Sequence, residues 1–430
     1  MANDQSTDSN DVKVELSKEL GLKEALGIAV GALIGGGVFS VLGIVINNTG
    51  PMAFLSFILA GVVSTFTAYS YVHLALRYPK AGGAFIYAQE AFKKKWFSGF
   101  LGIILWFGYT FSISLYAMTF GRYLGEVLPI FGDKILWEFH PLFGGAGYIV
   151  TPSALVYQLL SILLFIGLNM LGVKESSRAQ NVLVLLKVSI LVFYVITGIF
   201  AVQKANFSLS ESFGKSIIPV ITSSVLIFVS MEGFEILSNS VEEMKNPQRD
   251  LPIGMYLSII IVLILYVSVA VVTVGILGSD VGEMGEVILS HSARQSFLKE
   301  TGAIIMAIAA IISAASAINA TLLGSSRLSY MLSHERIIPK AIAKINPKTR
   351  VPMRAIITSG ILSMIFVLLF SIEVVAMAAS VIFMVIFGAV NASGIKLLEG
   401  KKKIVSGIGV FLILCYWIIW VITFINPNIV

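Results

Sequence analysis

The sequence predicts an all-α polytopic membrane protein with about eleven transmembrane helices, two of them discontinuous. Three observations carry that reading. The 430 residues are 57% hydrophobic and 13% charged, with a mean hydropathy of +0.90, whereas soluble domains are roughly 25% charged. The apolar residues fall into runs of about the 20 residues that a hydrocarbon core requires. Two of those runs are interrupted near their middles, one by three glycines and one by a glycine between two carboxylates.

Residues 1–22 are polar and hold no apolar core ahead of a small-residue cleavage site, so they are expected to form a cytosolic N-terminal tail rather than a signal peptide. The apolar runs extend approximately over Lys23 to Ile46, Pro51 to Arg77, Phe97 to Ile130, Thr151 to Gly172, Arg178 to Val202, Ile217 to Val241, Leu251 to Leu277, Gly302 to Leu332, Arg354 to Phe370, Val374 to Leu397 and Ile404 to Phe424. Between the second and third, Arg77 to Tyr87 is too apolar for a free loop and too rich in glycine for a span. A loop and a short amphipathic helix against the bundle are expected there. After the connection following the third helix, the longest outer connection is Gly278 to Thr301. No polar linker longer than about 20 residues separates the runs, which makes this one membrane domain.

Charge reports orientation. With the N-terminus in the cytosol, 22 of the 30 Lys and Arg fall in the tail and the loops on that side, among them Lys93, Lys94, Lys95, Lys340, Lys348, Arg350, Lys401, Lys402 and Lys403. Only Arg122, Lys134, Lys204, Lys215, Arg294 and Lys299 lie on the other side, and Lys187 and Arg327 lie within helices. Cytoplasmic loops carry such an excess, so the expected topology is N-terminus inside and C-terminus outside, in the cytoplasmic membrane. The basic residues form no face with interleaved aromatics, which argues against nucleic acid despite a pI near 9.2. Cys415, the single cysteine, excludes an intrachain disulfide. His73, His140, His291 and His334 are far apart, and no metalloprotease, nucleophile-elbow, Walker-A or dinucleotide motif is present. No enzyme activity, metal or cofactor is expected.

The first run reads Gly27-Ile-Ala-Val-Gly31-Ala-Leu-Ile34-Gly35-Gly36-Gly37-Val-Phe-Ser40. Each glycine costs about 1 kcal/mol in a helix relative to alanine, and a break at mid-depth frees backbone groups that lipid cannot satisfy. Such a break must line a protein-enclosed cavity suited to a polar ligand. The same glycines would also serve close helix packing. The sixth run reads Phe228-Val-Ser230-Met231-Glu232-Gly233-Phe234-Glu235, about 200 residues further on, as a repeat of five helices requires. Paired breaks in two halves point to an inverted-repeat secondary transporter with its ligand at the midplane. Free N–H groups at a half-helix start suit a carboxylate, and carbonyls at a half-helix end suit an ammonium. A small zwitterion fits both.

Three stretches, taken in order, resemble the amino acid permeases of the amino acid-polyamine-organocation superfamily over nearly all of Leu16 to Leu397. They are Ile34-Gly-Gly-Gly-Val-Phe39, Tyr78-Pro-Lys-Ala-Gly-Gly83 with Tyr87, and Gly233-Phe-Glu235 continuing to Glu242-Glu-Met-Lys-Asn-Pro-Gln-Arg-Asp-Leu-Pro252. The resemblance implies a LeuT-like 5+5 inverted-repeat bundle, with repeats at 23–203 and 216–397 and an additional helix at 398–430. Relatives commonly have twelve helices. It further implies that the substrate carboxylate meets the amides of Gly35, Gly36 and Gly37, and that the amino group meets carbonyls near Ile34 and from Phe228 through Ser230 to Met231. Many relatives have a serine where this chain has Gly36, so no hydroxyl contact is expected there.

Lys187 stands in the apolar fifth run, about 13 Å along the axis from Arg178. A charged lysine at the centre of a bilayer costs about 2.5 to 3.5 kcal/mol on insertion scales. By its Val-Leu-Leu-Lys context it resembles a lysine that, in some proton-coupled relatives, occupies the place of a sodium ion. Its implied partners are the Gly31 carbonyl with Ser313 or Ser316. The alternative is a lysine that stays charged and braces the helices. Glu232 and Glu235 are three residues apart and lie on nearby faces. Glu235 matches an acidic position of the family and suits a structural hydrogen bond as well as substrate contact, while Glu232 suits a cationic substrate or a share in proton coupling. Phe228 and Tyr109 either close over the ligand or pack, and Asn319 is expected to tie helices together. The expected function is import of amino acids by proton symport with alternating access, the alternatives being an exchanger and an amino-acid-binding receptor. The expected partners are amino acid, protons and the lipid bilayer; the sequence does not speak to oligomeric state.

Overall fold

The computed structural model describes residues 20–80, 82–130, 137–139, 148–171, 177–207, 217–278, 287–296, 298–344, 346 and 351–425. The tail before Leu20, and with it His140, Lys134, Lys215, Lys348 and Arg350, lies outside the described residues.

The first run folds as two helices, α1 (Leu22–Leu33) and α2 (Gly37–Thr49). At the start of α1 the Gly21 N–H donates to the Glu24 carboxylate at 3.0 Å, which satisfies one of the donors a helix start leaves free. Gly50, at φ +54, and Pro51 turn the chain into α3 (Ala53–Arg77). The glycine-rich connection then yields the expected short helix, α4 (Gly83–Phe92), followed by the long α5 (Lys95–Val127). Beyond it lies a two-stranded hairpin, β1 (Trp137–Phe139) paired antiparallel with β2 (Tyr148–Val150), Glu138 opposite Ile149. Helices α6 (Pro152–Met170) and α7 (Ser177–Gly198) close the first half.

The sixth run is broken as well. It begins as α8 (Ile218–Ile227), tightens to a 3₁₀ turn over Phe228–Met231, becomes extended at Glu232, and resumes at Phe234–Glu243. That second piece is a 3₁₀ helix rather than an α-helix. Its Ser238, Asn239 and Ser240 are residues whose side chains compete for the backbone, and the Ser238 hydroxyl donates to the Glu235 carbonyl at 2.6 Å. Then follow α9 (Pro247–Leu277), α10 (Ile288–Gln295), α11 (Lys299–His334), α12 (Met353–Leu369), α13 (Ile372–Leu397) and α14 (Lys401–Ile425). Helix α10 folds within the expected outer loop and packs on α11.

Among the described residues nine helical stretches are long and apolar enough to cross a membrane. The first, Gly37–Arg77, contains the α2–α3 turn and so holds parts of two expected segments, and the shorter Met353–Leu369 is the remaining apolar helix of the expected series. Outward-facing side chains such as Leu163, Ile264, Phe411 and Ile418 are exposed, as a lipid-facing surface requires. Helix α5 packs against α6, α11, α12 and α13 and thereby stands behind both breaks. At one end of the bundle Leu20 forms a parallel bridge to Met244, with the Leu20 N–H donating to the Glu243 carbonyl at 3.0 Å. The start of the first broken helix is thus tied to the end of the second.

Candidate functional site

The first break leaves the carbonyls of Leu33, Ile34 and Gly35 to donors from three other elements, while the Gly36 carbonyl already accepts the Ser40 N–H of α2 at 2.9 Å. The Tyr266 hydroxyl of α9 donates to Leu33 at 2.9 Å. Ser313 of α11 reaches both Ile34 and Gly35 at 2.9 Å. Lys187 Nζ of α7 donates to Ile34 at 3.0 Å and to Gly31 at 3.5 Å. Ser40 of α2 donates to Gly36 at 2.6 Å and shares a very short hydrogen bond with Thr119 of α5. A buried polar backbone must be satisfied within the protein, and here that need fixes which side chains surround the break. Lys187 is 1% exposed, among the largest fully buried side chains. Ser316 is buried three residues beyond Ser313 on the same helix. The Ile34 carbonyl, expected to face a substrate ammonium, accepts from both Lys187 and Ser313 in this conformation.

The glycines are needed because neighbours press on them. A Cβ at Gly36 would lie 2.8 Å from the Tyr116 ring, and one at Gly37 would lie 2.6 Å from Ser230 Oγ and 2.8 Å from Ser230 Cα. On the other side Gly233, at φ +114, would bring a Cβ within 2.7 Å of the Ala32 carbonyl carbon. Each break is therefore seated against the backbone of the other broken helix. Close packing and helix interruption, alternatives at the level of sequence, are both present.

At the second break, Glu235 Oε2 accepts the Gly233 N–H at 2.6 Å, so this carboxylate closes the turn of its own chain. Glu232 points elsewhere. Its Oε1 accepts from Ser112 Oγ at 2.6 Å and from the Tyr116 hydroxyl at 3.3 Å, both on α5, while Oε2 is buried with no partner among the described residues. Ser230 Oγ is likewise buried with no partner among the described residues. Ser380 of α13 holds the 3₁₀ turn by accepting the Val229 N–H at 2.9 Å and donating to the Leu226 carbonyl at 3.0 Å. The Phe228 ring packs edge-on to Phe387, with centroids 5.5 Å apart, and Met231 is fully buried. Tyr109 packs edge-on to Phe383 at 5.8 Å. Asn319 accepts a hydrogen bond from Asn169 at 2.8 Å, tying α11 to α6.

Sequence reasoning missed Ser112, Tyr116, Tyr266, Ser40 and Ser380. A signal existed for α5, where Tyr109, Ser112 and Tyr116 recur at helical spacing and so share a face.

The residues converge on two breaks, one presenting the glycine amides at the start of α2 and the other a carboxylate. A family model described as amino acid permease matches residues 20–429. An uncharacterized protein of Methanocaldococcus jannaschii is 30% identical over 411 residues, which cover 93% of this chain and 89% of that protein. The vacuolar cationic amino acid transporter 4 of Arabidopsis thaliana is 29% identical over 367 residues, 82% of this chain but 59% of the plant protein. The branched-chain amino acid permease BcaP of Bacillus subtilis is 26% identical over 347 residues, 78% of this chain and 71% of that permease. With its multi-pass helical bundle and a family match running almost end to end, the chain belongs to the amino acid permease family and is a membrane transporter rather than an enzyme.

Proposed function

We propose that this protein imports amino acids across the cytoplasmic membrane by proton symport, its N-terminus in the cytosol and its two five-helix repeats, 23–203 and 216–397, moving against each other. The observation that carries the reading is the contact of Lys187 with the first break, where a titratable side chain holds the carbonyls of Gly31 and Ile34. An ammonium offers three donors and no acceptor. Once it loses its proton it holds those carbonyls less strongly, and the first broken helix is released to rearrange. The substrate carboxylate meets the N–H groups of Gly35, Gly36 and Gly37 at the positive end of α2, and its ammonium meets carbonyls of the second break from Phe228 to Met231. Ser313 and Ser316 complete the ion-coupling site on α11. The orientation is supported by the 22 of 30 basic residues assigned to one side.

The test is uptake of labelled amino acid into proteoliposomes under an imposed pH gradient. Wild-type protein accumulates label without internal amino acid, and Lys187→Ala abolishes that accumulation. Undiminished pH-driven uptake by Lys187→Ala would overturn the role of Lys187. Uptake that requires internal amino acid would replace symport with exchange, and absence of counterflow would replace transport with reception.

A further inference from the structure

We propose that Glu232, positioned by Ser112 and Tyr116, is the residue that selects the substrate side chain, and that it takes the cationic end of a long basic amino acid. The inference rests on the reading of the glycine break as an amino acid site and extends it to the substrate class.

The first argument is an unmet polar atom. Glu232 is 5% exposed, and its Oε2 has no hydrogen-bond partner among the described residues. The described ion pairs lie elsewhere, at Lys95 with Glu335 and at Arg294 with Glu126 and Glu300. The two hydroxyls of Ser112 and Tyr116 orient the carboxyl through Oε1 and leave Oε2 unused. A buried polar atom without a partner is costly, and an arriving cationic group, with which the carboxyl can ionise and pair, relieves that cost. Glu235, three residues on, is different because the Gly233 N–H already uses its carboxylate.

The second argument is placement. The Tyr116 ring lies over Gly35 and Gly36, within 3.2 Å and 2.8 Å of where their Cβ atoms would stand, and its hydroxyl reaches Glu232 Oε1 at 3.3 Å. One tyrosine ring therefore spans the distance from the glycine amides to the carboxylate. A ligand that lies beside the ring with its own carboxylate on those amides needs a side chain of similar length to reach Glu232. Lysine and arginine have that length and end in a cation. Ser230, whose buried hydroxyl also lacks a partner among the described residues and lies against Gly37, provides a second polar atom beside the same path.

The experiment is binding to purified protein, read as competition against a labelled amino acid, comparing L-arginine with L-citrulline and L-lysine with L-norleucine. L-Citrulline keeps the length of arginine with a neutral urea in place of the guanidinium, and L-norleucine keeps the four-carbon stem of lysine without its ammonium. The wild type is expected to favour the cationic member by about tenfold or more, the scale of a charge-assisted hydrogen bond. Glu232→Gln is expected to erase that ratio, and Glu232→Asp, which retracts the carboxylate by one methylene, to lower it. Equal binding of both members by the wild type overturns the inference while leaving amino acid transport intact, and needs no variant to fold. A ratio that keeps its wild-type value in Glu232→Gln removes Glu232 from the role. Binding of no amino acid at all would instead overturn the transport reading beneath it.

Discussion

Gly37 and Ser230 show at the residue scale why this sequence tolerates so little at its breaks. A methyl at Gly37 would meet not only the Ser230 hydroxyl but the Ser230 Cα at 2.8 Å, and backbone cannot swing aside as a side chain can. Overpacking of this kind costs about 1–3 kcal/mol. Gly37→Ala is therefore expected to lower thermal stability of the purified protein by that amount and to depress uptake. Adding Ser230→Gly takes away the Oγ and Cβ atoms that press on the new methyl but leaves the main chain of residue 230 where it is, so it should restore part of the loss; no restoration would show that the two breaks do not bear on each other as described. The importance of these glycines was legible from their number at mid-depth in an apolar run, and Lys187 and Glu232 were legible because charge in such a run is rare. Tyr116 and Ser112 were not. Serines and tyrosines are scattered through nearly every span of this chain, and only tertiary structure says that these two face a carboxylate 116 and 120 residues away.

At the scale of the element, both interruptions and their spacing of about 200 residues could be read from the sequence, because glycine and buried carboxylates mark where a helix cannot continue. The 3₁₀ form of Phe234–Glu243 could not, since helical periodicity over ten residues does not separate two helices that differ by one hydrogen-bond register. Nor could the donors that satisfy the freed carbonyls. Those donors now define how the first broken helix is held: Tyr266 on the last carbonyl of α1, Ser313 on the next two. Tyr266→Phe leaves the buried Leu33 carbonyl without its hydroxyl donor while the ring still fills its space. The expected loss is about 1–3 kcal/mol in thermal or denaturant unfolding, the cost of an unsatisfied buried acceptor. Ser313→Ala should cost a similar amount, chiefly through Gly35, because Ile34 retains Lys187. If neither substitution moves the unfolding midpoint, the break is not held by these bonds.

For the whole molecule, alternating access requires that contacts at each end of the bundle form and break, and such contacts must be weak enough to yield. At the end that carries Leu20, the chain is held by the Leu20–Met244 bridge and by the Arg77 guanidinium on the Leu397 carbonyl. At the other end Arg294 of α10 joins Glu126 of α5 at 3.3 Å and Glu300 of α11 at 2.9 Å. The carboxylate of Glu300 beside it raises the Arg294 pKa above its already high ordinary value, so this cation keeps its charge over the whole physiological range and the clasp responds to salt rather than to its own titration. Its side chain is 35% exposed and that of Glu300 is 71% exposed, and exposed pairs of this kind contribute about 0 to 1 kcal/mol. Arg294→Gln is accordingly expected to shift the balance between open and closed forms by no more than about fivefold. Distances between spin labels on α5 and α10 would report that shift. In the wild type the same measurement should move toward the open form as salt rises from about 0.01 to 1 M, where screening shortens from about 30 to 3 Å, and Arg294→Gln should remove most of that salt response. A salt response left unchanged in the variant would place the gate elsewhere, because screening can act only on charges that are present.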